Sequence, residues 1–98
     1  MRATLTHVSA QSSKYGGIFY YAYFRDDQGK AYKSCLYKEC KNYARWLPVI
    51  QHSINGKKVV LDGLKLKDKN LINADSKFTI VKIEEQENSY GNEICFNQ

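Results

Sequence analysis

The chain has 98 residues, 43% of them hydrophobic and 26% charged, with a formal net charge of +5. That length supports one hydrophobic core and leaves no room for a second, and the composition is that of a folded globular chain. No run of eighteen apolar residues is present to form a transmembrane helix, and the opening MRATLTHVSAQ has no apolar stretch of the kind a secretory signal needs.

Residues 2–10, RATLTHVSA, alternate in character and predict a first strand, with Ala3, Leu5 and His7 on one side and Arg2, Thr4, Thr6 and Val8 on the other. Residues 11–17, QSSKYGG, predict a turn rich in serine and glycine. Residues 18–25, IFYYAYFR, predict a second strand dense in β-favouring aromatics. Successive side chains of a strand point to opposite faces. Ile18, Tyr20, Ala22 and Phe24 therefore share one face, and Phe19, Tyr21, Tyr23 and Arg25 share the other. A single small core cannot easily bury both aromatic faces. The first set, which includes Ile18 and Ala22, is expected inside, leaving Phe19, Tyr21 and Tyr23 as an accessible platform.

Asp26-Asp27-Gln28-Gly29 predicts a hairpin loop, and residues 30–38, KAYKSCLYK, return as a third strand. Residues 39–50 change period. Cys40, Tyr43, Ala44 and Leu47 follow the spacing of an amphipathic helix, expected to stop at or near Leu47 because Pro48 follows. Trp46 on that helix is expected in the core. Residues 51–56 predict a loop with a turn at Asn55-Gly56. Residues 57–67 predict a fourth strand bent or bulged at Gly63, with Lys65, Lys67 and Lys69 as a row of cations on one side of its end. Residues 68–76 predict a polar loop, residues 77–83 a fifth strand, and residues 84–98 an acidic tail, the last with a short edge strand as its alternative.

Charge divides along this plan. Residues 1–83 hold all fifteen Lys and Arg against six acids, a balance of +9, while residues 84–98 hold four Glu and no cation. A basic body points to a polyanionic partner. Ten of the thirteen aromatic residues lie between Tyr15 and Trp46, interleaved with Arg25, Lys30, Lys33, Lys38, Lys41 and Arg45. Exposed rings beside cations suit stacked bases and phosphates.

Catalysis is not expected. No paired carboxylates, nucleophile elbow, phosphate-binding loop or histidine cluster is present. Cys35, Cys40 and Cys95 are expected to be reduced, packed thiols. Cys35 and Cys40 have the wrong spacing for a zinc knuckle, so no metal or other cofactor is expected.

The element order β-β-β-α-β-β gives a mainly β fold, expected to be a five-stranded OB-fold-like barrel with one short helix between strands 3 and 4. By that order and by its aromatic, basic second and third strands, the body over residues 1–83 resembles the small OB-fold single-stranded DNA-binding proteins of phages and mobile elements. The resemblance implies a binding face built from residues 18–38, 11–17 and 68–76. Bases would stack on Tyr15, Phe19, Tyr21, Tyr23, Tyr32 and Tyr37. Lys14, Arg25, Lys30, Lys33, Lys65, Lys67 and Lys69 would track phosphates.

It further implies sequence-tolerant single-stranded DNA binding in replication or recombination. With no apolar span and no secretory stretch in view, a cytoplasmic location is expected, that of the host cell if the chain is phage-encoded. The acidic tail would recruit a replication protein, and a homodimer is compatible with the small size. RNA binding by the same fold is one alternative. A protein-interaction module, such as a phage factor that binds a host protein, is another.

Overall fold

The computed structural model describes residues 1–85. Residues 86–98, which hold most of the expected acidic tail, lie outside the described residues. Five strands and one helix follow in the order β1 (Arg2–Ser12), β2 (Ile18–Arg25), β3 (Ala31–Leu36), α1 (Tyr43–Ile54), β4 (Lys57–Asp62) and β5 (Thr79–Glu85). All strand pairs are antiparallel, in one sheet of order β3-β2-β1-β4-β5. The fold is thus mainly β with one helix between the third and fourth strands. Among the described residues β3 and β5 are its two edges, so the sheet is not closed as a barrel.

β2 occupies the predicted residues, and its alternation holds where the core is. Ala22 and Phe24 are buried and Tyr20 packs against them. Ile18 departs from the expectation. It is 55% exposed, because it pairs with Ser12 at the far end of the hairpin, beyond the reach of the core.

β1 also departs. Ala3 and Leu5 are buried, but the register with β2 shifts between Leu5 and His7. The extra residue is Thr6, whose hydroxyl donates to the Tyr23 carbonyl at 3.2 Å. A bulge of one residue reverses the phase of everything after it. Val8 therefore packs on the core, and His7 turns to the outer face opposite Tyr23.

The helix runs through Pro48 rather than stopping before it. Its buried residues are Trp46, Val49, Ile50 and Ser53, so Ala44 and Leu47, expected inward, are exposed. Proline here removes one backbone bond, to the carbonyl four residues back. Burial of Val49 and Ile50 contributes about 1.5–3 kcal/mol each and outweighs that loss. Asn42 makes no side-chain cap on α1; its amide nitrogen instead donates to Ser76 O at 2.7 Å.

β4 ends at Asp62, five residues earlier than the pattern predicts. Gly63 has φ +95, and a Cβ there would meet the Lys77 carbonyl at 2.7 Å. The chain turns off the sheet at this contact, so Lys65, Lys67 and Lys69 lie on a connection and not on a strand.

Residues 63–78 cross over the core from β4 toward β3. They bury Leu64, Ile72 and Phe78 in it. At β3, Lys33 N–H donates to Asn70 O at 2.9 Å and Ile72 N–H donates to Lys33 O at 2.8 Å. Trp46, fully buried as expected, locks the crossing. Its indole N–H donates to Ala74 O at 2.8 Å and its ring lies 4.3 Å from that of Phe78.

A candidate nucleic-acid interface

Directly paired residues of adjacent strands project to the same face. On the outer face, the pairings His7–Tyr23–Lys33 and Ser9–Tyr21–Cys35 form successive rows across β1, β2 and β3, and Gln11–Phe19 begins a third. Tyr37, just beyond β3, completes that third row. Its ring stacks on Phe19 with centroids 4.9 Å apart and 21° between planes. Phe19 in turn meets the edge of Tyr21 at 5.3 Å.

Phe19, Tyr21 and Tyr23 are half-buried, neither packed away nor free. Their spacing along the strand is about 7 Å, two residues of rise. Each ring has a neighbour, Tyr37 on Phe19, Lys33 on Tyr21 and His7 on Tyr23, and each keeps part of its surface exposed.

Lys33 Nζ sits over the Tyr21 ring, 4.6 Å from its centroid. Lys67 reaches the same flank from the β4–β5 connection. It lines a cleft of about 350 Å³ with Cys35, Tyr37 and Cys40. Burial pushes the Cys35 thiol up, and the positive charges of Lys33 and Lys67 pull against that. Loss of water likewise raises the Tyr37 phenol, with the neighbouring Cys35 and Tyr21 adding to it. Both side chains are therefore protonated at neutral pH, and the charges at this cleft are those of Lys33 and Lys67 together with Asp75 and Glu39.

At the other end of the third row, the 13–17 turn and residues 37–39 enclose a cleft of about 400 Å³ lined by Tyr15, Phe19, Tyr37, Lys38 and Glu39. The turn is closed by Ser13 N–H donating to Gly17 O at 3.1 Å, and Gly16 and Gly17 both take the positive φ that this path requires. Tyr15 stands at its tip, 88% exposed, with Lys14 Nζ 5.2 Å from its ring centroid.

The expected site residues divide accordingly. Tyr15, Phe19, Tyr21, Tyr23, Tyr37, Lys14, Lys33 and Lys67 come together along one side of β1–β3. Tyr32 does not join them. It pairs with Phe24 and is only 8% exposed, inside the core. Its hydroxyl donates to Asp26 Oδ2 at 3.0 Å, and burial followed by that bond raises its pKa. Asp26 also accepts Lys30 N–H at 2.9 Å and Gln28 N–H at 3.0 Å. The bond from Lys30 is the largest influence holding its carboxyl below the usual range, ahead of an opposing loss of water.

Arg25 and Lys30 belong to this hairpin end. Arg25 donates to Gly29 O, and Lys30 Nζ lies 5.4 Å from the Tyr32 centroid. Lys65 and Lys69 are exposed on the connection.

Two residues outside the expected stacking and phosphate-contacting sets belong to it. His7 stacks on Tyr23 with centroids 5.7 Å apart, and Lys38 lines the Tyr15 cleft. Lys38 was visible as a cation directly after Tyr37. His7 was hidden by a bulge that no glycine or proline marks.

Among the described residues no group of three His, Cys, Asp or Glu side chains converges as a metal site, and no helix is long and apolar enough to cross a membrane. Comparison with protein-family models, with curated proteins and with solved structures finds no match to this chain.

Proposed function

We propose that the outer face of β1–β3 binds single-stranded nucleic acid, DNA first, with little regard to sequence, in replication or recombination. The single observation behind this reading is the partly exposed row Tyr23–Tyr21–Phe19, extended by His7 and Tyr37 and edged by Lys33 and Lys67. Every base has a flat face, so rings spaced along a strand accept any of them, at roughly 1–3 kcal/mol per stacked base. Lys33 covers Tyr21 in the free protein. A base stacking there displaces its ammonium toward the adjacent phosphate, which exchanges a cation–π contact for an ion pair. Duplex DNA has its bases already stacked and offers this surface only phosphates.

The finer fold assignment belongs to the same proposal. The sheet order β3-β2-β1-β4-β5 has the neighbours of a five-stranded barrel opened between β3 and β5. The crossing of residues 63–78 to the β3 edge spans part of that opening. An OB-like half-open barrel puts a binding face on its second and third strands, where the ring row lies. The role is one of binding, with no reaction assigned to it.

Titration of labelled oligo-dT, oligo-U and a duplex of equal length, each at two salt concentrations, tests the reading. Tighter binding of the single strands than of the duplex, weakening with salt, is expected. Equal affinity for duplex and single strand contradicts stacking. No binding to any of them returns the ring row to a protein partner.

A further inference from the structure

The two edges of the sheet are unlike. β3 is capped at Lys33, whose N–H donates to Asn70 O and whose carbonyl accepts from Ile72 N–H. β5, the other edge, has no backbone partner on its outer side among the described residues. It is also exposed along its whole length, with Ile80, Val81 and Ile83 each more than 40% accessible. An open edge is a template for another strand, and the register shift that leaves Val81 without a β4 partner confines regular alternation to residues 82–85.

Its charges say which strand. Lys82 and Glu84 share one face of β5 and are 3.2 Å apart. Ile83 faces the other way, opposite the buried Val59.

We propose that β5 is a self-association edge, at which two copies of this chain pair their β5 strands antiparallel about a two-fold axis through Ile83. A register that keeps both cores on the same side of the joined sheet places the axis on a residue. An axis at Lys82 sets Lys82 against its own copy, and an axis at Glu84 does the same with Glu84. The axis at Ile83 sets each Lys82 opposite the Glu84 of the second copy, twice, and Ile83 against Ile83. Unlike charges and apolar pairs directly opposite stabilise an antiparallel pair, and like charges destabilise it. The ring row on β1–β3 lies away from this edge, so the dimer leaves both nucleic-acid faces open and stands or falls independently of them.

Light scattering behind size exclusion, on the full chain without nucleic acid, tests the proposal. The wild type is expected to approach twice the 11.3 kDa of one chain as concentration rises. K82E and E84K each place like charges opposite and should raise the dimer dissociation constant by roughly tenfold or more. Mixed together, those two variants restore unlike pairs and should form the heterodimer. Circular dichroism establishes that each variant is folded. The proposal is overturned if the wild type stays at the mass of one chain, if both variants dimerise as the wild type does, or if the mixture fails to recover the dimer. Dimerisation that appears only on removal of residues 86–98 also overturns it, since that segment would then be the occupant of the edge.

Discussion

Replacing Tyr21 by alanine removes the central ring of the row. Tyr21 is half-buried, touches Phe19 at 5.3 Å and seats the Lys33 ammonium at 4.6 Å. One stacked base is worth roughly 1–3 kcal/mol, so the dissociation constant for oligo-dT should rise by about 5- to 150-fold. The cost to folding is smaller. Cross-strand and ring contacts on an open sheet face contribute about 1–2 kcal/mol together. In a chain of this size that lowers Tm by roughly 4–16 °C, which from an ordinary midpoint of about 45–65 °C leaves the variant folded at room temperature.

Tyr21→Phe keeps the ring and should bind within about twofold of the wild type, the flat face being what a base meets. Fluorescence anisotropy at fixed salt, with circular dichroism on each variant, measures both effects. A folded Tyr21→Ala protein that binds as well as the wild type would refute stacking on this row. Equal losses in the phenylalanine and alanine variants would show that the hydroxyl, and not the ring, makes the contact.

Counterion release makes single-strand affinity fall with salt at a slope of about −0.7 per phosphate neutralised. Lys33→Ala and Lys67→Ala should each make the slope shallower by about that amount. Lys57→Ala, which loses only the contact to Glu85 on the far edge, should leave it unchanged. Gly63→Ala should destabilise the fold by about 1–3 kcal/mol, read as a lower urea midpoint, because a side chain at φ +95 also meets the Lys77 carbonyl; an unchanged midpoint would contradict that close approach.

Asp26 has a folded pKa below its ordinary 3.8, so its contribution is present above pH 3.8 and is lost as pH falls through the lower folded value. The urea midpoint of the wild type should therefore fall over that acid range more steeply than that of Asp26→Asn. Identical acid slopes would contradict the three bonds assigned to its carboxylate.

Much of the site could be read from residues 18–25, because a strand buried on one side displays its alternation directly. Ala22 and Phe24 mark the inside, and the rings between them follow on the outside. Tyr32 belongs to the core for a reason the sequence contains. A hairpin that pairs Arg25 with Ala31 sets Tyr32 opposite Phe24, and Phe24 lies on the expected core face.

His7 was not recoverable in the same way. A bulge at Thr6 costs one residue of phase and leaves no compositional mark. Proline disfavours helix only locally, whereas the helix end depends on the side chains buried after Pro48. The expected row of Lys65, Lys67 and Lys69 rests on a strand that a close approach between Gly63 and Lys77, fourteen residues on, brings to an end. Only the tertiary path of residues 63–78 delivers Lys67 to β3.

The central claim concerns one face of the sheet, and amide chemical-shift mapping with oligo-dT addresses it residue by residue. Perturbations should concentrate on Ser9, Phe19, Tyr21, Tyr23, Lys33 and Cys35, with Tyr15 and Lys67 at the margins. Val49, Ile50 and Ile80, on α1 and β5, should stay still. Shifts centred on α1 or β5, with the ring row unmoved, would contradict the account.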